Sequence, residues 1–374
     1  MSNIDFDEVL EHVGERGKYQ QIMYYLLCIP ATIPAAFLAF RKVFVSASPE
    51  HWCRVPSLDT HPLGLDQQKA LAIPYTLRPD GRRQYSKCYM YDVNFTALLH
   101  HQSEHHELPT PDTEWNVTKC QYGWNYDRKD YDSTLVTELN LVCDDGWWPS
   151  TSTTFFYVGS LFGNVVFGWI ADKWGRRTSF FIIIFLEVNL SILTAFSPNY
   201  VVYTILRTIN GLFFPAIYQI PFILALELMG PRYRTFAGMV ICMFFALGLS
   251  LLALLGYLLR NWYTLSLATS VPFVLLFSYY WIIPESPRWL LSKNRIDEAE
   301  EIVQTMARIN GKKVSKNFLR KMELENKKKA WNGTLCQQEA SPTSATPMDI
   351  LRHPNIRKKF FILAFDWVAN AVVL

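Results

Sequence analysis

The sequence predicts an all-α membrane protein with six transmembrane helices, the start of a seventh and a large extracellular loop. Half of the residues are hydrophobic and 18% are charged, and the apolar residues are gathered into long runs, which indicates a membrane protein rather than a soluble one. The longest polar interruption carries four of the seven cysteines and two glycosylation sequons. Such a segment is typical of an oxidising, extracellular compartment.

An acidic arm precedes the first apolar run. Residues 1–21 are read as a cytoplasmic arm, because residues 4–14 have the spacing of an amphipathic helix that ends at a glycine. The acidic start does not resemble a cleavable signal peptide, so we expect the first transmembrane helix, residues 22–40, to anchor the chain. Pro30 and Pro34 are expected to kink that helix and to free backbone carbonyls.

Residues 41–148 are predicted to form one extracellular loop that is disulfide-bonded and glycosylated. Four cysteines allow three pairings, and their spacing does not select one. The sequons begin at Asn94 and Asn116, which are the expected glycosylation sites. A histidine cluster at residues 100–106 is read as a solvated loop, and we predict no metal site and no cofactor. The cysteines of the loop are Cys53, Cys88, Cys120 and Cys143.

Further apolar runs fill residues 149–283, and each is long enough to cross a bilayer. Positive charge in the short connections lies mostly on the side of the N-terminus, which predicts that the N-terminus is cytoplasmic. Residues 284–358 are predicted to be a cytoplasmic loop containing a helix that ends at Gly311. Residues 359–374 begin a seventh helix that is too short to cross comfortably. The five runs lie near residues 149–171, 178–196, 200–226, 235–258 and 264–283.

The most specific motif in the sequence is a short charged turn between the second and third apolar runs. Gly168 is expected to let a neighbouring helix approach closely, and Gly175 to allow a backbone conformation that a side chain would resist. Asp172 is placed where it can pair with an arginine at a helix end. The basic residues that should hold this turn on the cytoplasmic side are Lys173, Arg176 and Arg177.

The pattern G-x-x-x-D-K-x-G-R-R of this turn resembles the signature between the second and third helices of major facilitator superfamily transporters. Six helices with a large cysteine-bearing first loop resemble the N-terminal half of the organic cation, anion and zwitterion (carnitine) transporter family within it. That resemblance implies the pairings Cys53–Cys120 and Cys88–Cys143. Further stretches that are similar to the family's motifs are residues 133–144, 207–211, 227–234 and 284–290.

The resemblance implies transport of organic cations or carnitine-like zwitterions by alternating access at the plasma membrane. The expected partners are a small organic ion and the lipid bilayer, and neither nucleic-acid binding nor enzymatic activity is predicted, because no Walker motif or nucleophile–base pair is found. The family has two six-helix halves, so we expect this chain to be a truncated half that inserts without transporting alone. It would then need a C-terminal half or a full-length paralogue. The alternatives are a non-transporting regulatory fragment and a sugar-porter-like transporter.

The resemblance also implies where substrate and gate should lie. Aromatic residues can bind a cation through its charge, at ~0.5–2 kcal/mol for each contact. Glu187, with Asn189 beside it in the third run, is read either as part of a polar path or as a structural hydrogen-bonding group. The substrate-binding candidates are Tyr218, Phe245, Trp367 and Phe37. The gating candidates are Gly168, Asp172, Lys173, Gly175, Arg176, Arg177, Glu227, Arg234, Glu285 and Arg288.

Overall fold

The computed structural model describes residues 4–59, 61–79, 81, 83–102, 115–331, 352 and 354–373, with the side chains of these residues except 99–102, 329–331, 367 and 370–373. The chain divides into two compact units, residues 1–320 and 321–374, which are described separately. The histidines at 105 and 106 of the predicted loop and Cys336 lie outside the described residues.

The first unit is a helical bundle with a small domain inserted after its first long helix. Among the described residues, six segments are long and apolar enough to cross a membrane, which confirms the predicted number of spans. The long helices of the bundle are α2 (Lys18–Phe40), α8 (Trp148–Trp174), α9 (Arg176–Ala195), α10 (Tyr200–Glu227) and α11 (Arg234–Leu258). The shorter helices are α1 (Phe6–Val13), α3 (Lys42–Val45), α4 (Pro56–Asp59), α5 (Leu65–Ala72), α6 (Phe95–Gln102), α7 (Leu135–Leu139), α12 (Trp262–Ala268), α13 (Pro287–Ser292) and α14 (Ile296–Asn310).

The second unit contains most of helix α15 (Phe318–Trp331) and helix α16 (Pro354–Val373). Helix α16 begins before residue 359, the predicted start of the seventh apolar run. The candidate Trp367 lies on α16, and its side chain is outside the described part of the structure.

Helices α8 and α10 pack closely because glycines remove side chains from their contact. A Cβ atom on Gly159 would lie 2.3 Å from the Thr208 carbonyl oxygen, and one on Gly163 would lie 1.9 Å from that of Leu212. These two glycines are spaced G-x-x-x-G, a pattern that lets membrane helices bring their backbones together. The prediction for Gly168 is wrong, because a Cβ atom there would meet nothing within 4 Å. The close approach therefore lies about one turn earlier in α8.

Gly163 and Gly168 give a matched pair of substitutions. Gly163→Val is expected to force α8 and α10 apart, because its side chain would overlap the Leu212 backbone, and overpacking costs ~1–3 kcal/mol or more. Gly168→Val introduces the same side chain into open space on the same helix. Thermal unfolding in detergent should show a clearly lower apparent Tm for the first variant and little change for the second. Equal Tm values would contradict this packing.

The sixth span differs from the uninterrupted helix that residues 264–283 were expected to form. Helix α12 ends at Ala268, and a 3-10 helix continues over Val271–Trp281. Pro272 explains the break, because proline has no N–H to donate and its ring clashes with the carbonyl four residues earlier. Thr269 and Ser270 lie at the break, and their hydroxyl groups donate to the carbonyls of Leu265 and Ser266.

The inserted domain has its own apolar core and two disulfides, Cys53–Cys120 and Cys88–Cys143, which confirms the pairing implied by the resemblance. Short antiparallel strand pairs, which the sequence analysis did not predict, join β1 with β6, β2 with β3 and β4 with β5. The strands are β1 (His51–Cys53), β2 (Tyr75–Leu77), β3 (Arg83–Tyr85), β4 (Tyr89–Tyr91), β5 (Val117–Lys119) and β6 (Trp124–Tyr126).

The two ends of the bundle are named here by what they carry. The loop side is the end next to the inserted domain, where Val45, Leu135, Tyr203 and Trp262 form one buried apolar cluster. The arm side is the end that carries α1, whose N-terminus is capped by Asp5 and whose C-terminus ends at Gly14 with φ +105°. The predicted amphipathic arm helix is therefore present.

Candidate gate and substrate site

The turn between α8 and α9 lies on the arm side and has the tight geometry that the motif predicts. Gly175 is the single residue between the two helices, and its φ of +98° is a conformation that side chains rarely adopt. A Cβ atom on Gly175 would also lie 2.3 Å from Oε2 of Glu285. Glycine is therefore required both for the backbone turn and for the approach of that carboxylate.

Glu285 caps the start of helix α9 from a distant part of the chain. Its Oε1 accepts hydrogen bonds from the backbone N–H groups of Arg176 at 2.9 Å and Arg177 at 3.1 Å. The N–H of the following residue, Ser286, also donates to this oxygen at 3.0 Å. The first N–H groups of a helix have no partners within it, and a carboxylate there is favoured by the helix dipole. The segment after the sixth span is thereby attached to the α8–α9 turn.

Arg176 joins the ends of helices α8 and α10. Its Nη2 lies 2.9 Å from Oδ1 of Asp172 and 3.3 Å from Oε1 of Glu227. The side chains of Arg176 and Glu227 are only 15% and 17% exposed, so water screens this pair less than it would screen a surface pair. Trp289 adds a further connection, because its indole Nε1 donates to the Asp172 carbonyl oxygen at 2.9 Å. The neighbouring Lys173 instead lies over the ring of Trp169.

Asp7 on the arm helix α1 joins the charged groups at the arm side of the bundle, and it was not among the residues predicted from the sequence. Its Oδ1 accepts from Arg234 at 3.0 Å and also from Arg288. The Arg288 guanidinium lies over the ring of Phe6 and donates through Nε to the Glu227 carbonyl oxygen at 3.2 Å. The ion pairs and hydrogen bonds thus connect α1, the α8–α9 turn, the end of α10, the start of α11 and α13. We call this set the arm-side network.

A second charged cluster is buried between the helices, nearer the loop side. The Arg41 Nη1 donates to Ser191, Thr269 and Ser270 hydroxyl oxygens and to the Ser266 carbonyl, at 3.0–3.3 Å. Glu187 on α9 is 2% exposed, and neither carboxylate oxygen accepts a hydrogen bond from the residues that the structure describes.

The buried carboxylate of Glu187 interacts electrostatically with both Arg41 and Arg207. Arg207 on α10 is 3% exposed, and its guanidinium lies 5.0 Å from the centre of the Phe156 ring. A buried charge is costly unless another charge offsets it. Among the described residues neither arginine comes within 4 Å of this carboxylate, so the attraction acts over a longer distance, from the residue that follows α2 and from α10. Asn189, two residues away, is exposed and bonds only to the Phe185 carbonyl in its own helix, among the described residues.

The candidate substrate residues occupy different environments. Tyr218 on α10 is half-buried, with its ring 5.7 Å from that of Phe214. Phe245 on α11 is also half-buried and lies 6.2 Å from the ring of Phe40. Phe37 is 8% exposed and lies against Phe273 of the sixth span, so its position is that of a packing residue.

Comparison with known proteins identifies the family of the chain. The family described as "Sugar (and other) transporter" matches residues 89–366. A β-alanine transporter and a carcinine transporter from Drosophila melanogaster are each 38% identical to this chain across 99% of it. Human organic cation/carnitine transporter 2 is 33% identical across 98% of it. The matched regions make up 62%, 54% and 64% of these three proteins, so the chain spans less than two thirds of their length.

A partially occluded, inward-open structure of the xylose transporter XylE from E. coli is similar over 83% of this chain and 58% of that one, with 12% identity and a TM-score of 0.45. The family match covers most of the chain, and the resemblance to organic cation and carnitine transporters is confirmed by the relatives. The chain is a multi-pass membrane protein that belongs to the sugar (and other) transporter family of the major facilitator superfamily, and it is similar over nearly its whole length to organic cation, carnitine, carcinine and β-alanine transporters.

Proposed function

We propose that this protein takes part in transporting small organic cations or zwitterions across the plasma membrane by alternating access. The observation that carries the proposal is the arm-side network, which joins five segments of the chain through charged groups at one end of the bundle. Alternating access needs contacts that hold one side closed and break when that side opens. The arm-side network has the composition and the position for such a gate.

The individual contacts of the arm-side network have strengths that suit reversible opening. Asp172 is 72% exposed in its side chain, so its ion pair with Arg176 is weak, on the order of 0–1 kcal/mol. The less exposed contacts of Arg176 with Glu227 and of Glu285 with the α9 N-terminus contribute more to the closed state. A gate of this kind closes through several contacts together and opens without a large cost from any one of them.

The proposed substrates carry a positively charged nitrogen, as β-alanine, carcinine and carnitine do, and some also carry a carboxylate. Aromatic rings bind such a nitrogen through its charge and accept substituents of different shapes. We propose that Tyr218, Phe245 and Trp367 supply these rings and that Phe37 serves in packing. Because the family also includes sugar transporters, a sugar must be compared directly as an alternative ligand.

We also propose that the arm side is cytoplasmic and that the inserted domain is extracellular. Two disulfides in this domain support the second assignment, because disulfides persist in oxidising compartments. Asn94 and Asn116 are both exposed, as a glycosylated asparagine must be. Glycosidase treatment of protein from secretory cells should increase its gel mobility, and the double variant Asn94→Gln with Asn116→Gln should abolish that change. Unchanged mobility of the wild type would contradict glycosylation.

Ligand binding by the purified protein tests the proposed substrate class. β-Alanine, carcinine or tetraethylammonium at about ten times Kd should stabilise the protein by ~1.4 kcal/mol, whereas xylose should not. Tyr218→Ala should weaken binding by roughly tenfold or less, the range expected for one cation–π contact, and Tyr218→Phe should retain most of it. Tyr257→Ala is the control, since Tyr257 is 71% exposed on α11. Stabilisation by xylose alone would favour the sugar-transporter alternative.

A further inference from the structure

A cavity of about 250 Å³ opens in the inserted domain, away from the transmembrane helices. Strand β1, helix α5 and the β2–β3 hairpin form its walls. Its described lining contains four lysine or arginine side chains and one carboxylate, that of Glu50. We call this cavity the cationic pocket. The four cations are Lys69, Arg78, Arg83 and Lys87.

Among the residues that the structure describes, no carboxylate forms an ion pair with the cations of the cationic pocket. Within the described ranges of the chain, none of the four cations has a carboxylate oxygen within 4 Å. Arg78 donates from Nε to Oε1 of Gln84 at 2.8 Å, which fixes its orientation without cancelling its charge. The Lys69 Nζ lies 3.4 Å from the centre of the Trp52 ring. These contacts hold cationic groups in place while leaving donors for a ligand.

Aromatic side chains give the pocket apolar walls as well as charge. Trp52 is 7% exposed and belongs to the core of the inserted domain, so its position is fixed by packing. Tyr85 is half-buried on strand β3, and the Arg83 guanidinium lies 4.8 Å from the centre of the Tyr75 ring on the paired strand. A concave site with polar groups on an apolar wall is the usual form of a small-molecule site.

We propose that the cationic pocket binds a small organic anion about the size of one sugar unit that carries a carboxylate, sulfate or phosphate group. Cations of one sign gathered in a concavity concentrate the electric field there and attract anions. A guanidinium group can form paired hydrogen bonds with two oxygens of a carboxylate, sulfate or phosphate group. The anion can come from free solute or from an acidic glycan at the cell surface, because both present the same chemical group.

His51 makes the binding depend on pH. It lines the pocket, and its pKa is lowered by burial and by the nearby Lys87 charge, while the 3.0 Å contact of Nδ1 with the Pro49 carbonyl oxygen and the Glu50 charge act in the opposite direction. The other groups around the ring are the Tyr126 ring at 5.9 Å and the disulfide Cys88–Cys143. A bound anion favours the protonated ring, so binding should take up a proton. Because the pKa of His51 lies below the ordinary value of about 6.5 in the free protein and a bound anion raises it, affinity should rise as the pH falls from about 7 to about 5.

Isothermal titration of the full chain in nanodiscs with D-glucuronate tests the proposal, with D-glucose as the uncharged match. Glucuronate should bind saturably and glucose should not. Arg78→Gln with Arg83→Gln should weaken glucuronate binding by roughly tenfold or more, because the charge-assisted contacts are lost. Lys129→Gln, which removes an 86%-exposed cation outside the pocket lining, should leave it unchanged. Equal loss in both variants would mean diffuse charge attraction and would overturn the pocket.

Two further arms identify the source of the anion and the role of His51. A heparin tetrasaccharide that binds more tightly than glucuronate in the wild type, and loses that advantage in the arginine double variant, would identify a glycan. Tighter binding of glucuronate would identify a free solute. In His51→Gln, the increase in affinity between about pH 7 and about pH 5 should disappear. Absence of saturable binding by either anion in correctly folded wild-type protein would overturn the proposal.

Discussion

Glu285→Ala is expected to lower both the stability and the transport rate more than any other single change in the arm-side network. One carboxylate oxygen accepts three backbone hydrogen bonds, two of them from the start of α9, and alanine would leave all three donors unpaired. Hydrogen bonds to charged groups contribute ~1.5–3 kcal/mol each but are not additive. We expect a loss on the order of 3 kcal/mol in the free energy of unfolding, together with at least a tenfold loss of uptake.

Two companion variants distinguish the loss of the hydrogen-bond acceptor from the loss of the negative charge at Glu285 and provide a control. Glu285→Gln keeps an oxygen for the three donors and removes the charge, so it should fall between the wild type and alanine. Glu301→Ala removes an exposed carboxylate from α14 and should change little. Apparent Tm in detergent and initial uptake rate are the measurements. An alanine variant that resembles the Glu301 control in both would show that the Glu285 contacts are incidental.

Glu187→Ala is expected to destabilise the bundle by about 3 kcal/mol or more. The substitution removes the buried carboxylate that faces Arg41 and Arg207 from α9, and both guanidiniums would remain buried. Replacing a large, fully buried side chain by alanine leaves a cavity and typically costs ~2–5 kcal/mol, and here the two nearby arginines would also lose the carboxylate between the helices. Thermal unfolding should show a large fall in Tm and reduced yield of monodisperse protein.

Asn189→Ala is the matched control for Glu187, because it removes a polar side chain from the same helix at an exposed position. It should leave Tm nearly unchanged. Glu187→Gln preserves shape and removes the charge, so a loss close to that of alanine would assign the effect to electrostatics. If Glu187→Ala unfolds at the wild-type temperature, the buried cluster does not depend on its carboxylate.

Local patterns predicted the features that depend on few residues. Hydrophobic run length located the spans, since each segment must cross the apolar layer by itself. The positive φ of Gly175 followed from a glycine placed between two helices. The disulfide pairing needed the family resemblance, because spacing alone left three possibilities open.

Other features depend on which elements meet, and single-segment patterns did not reveal them. Gly168 stands in the charged motif and was expected to mark the close approach, whereas the helix contact lies earlier in α8, at Gly159 and Gly163. The G-x-x-x-G spacing was a signal that could have located that contact. Asp7 meets Arg234 and Arg288 across more than 200 positions in sequence, and nothing in the arm alone marks it. Pro272 was a usable sign of the break in the sixth span.

Uptake of radiolabelled substrate is the most direct test of the proposed function. Cells should express the protein alone or together with the second helical bundle of the β-alanine transporter, and mock cells give the background. We predict saturable uptake of β-alanine, carcinine or tetraethylammonium in at least one of these two conditions, with a loss of at least tenfold in Glu285→Ala. Uptake at the mock level in both conditions, with wild-type protein shown to be folded at the cell surface, would contradict transport.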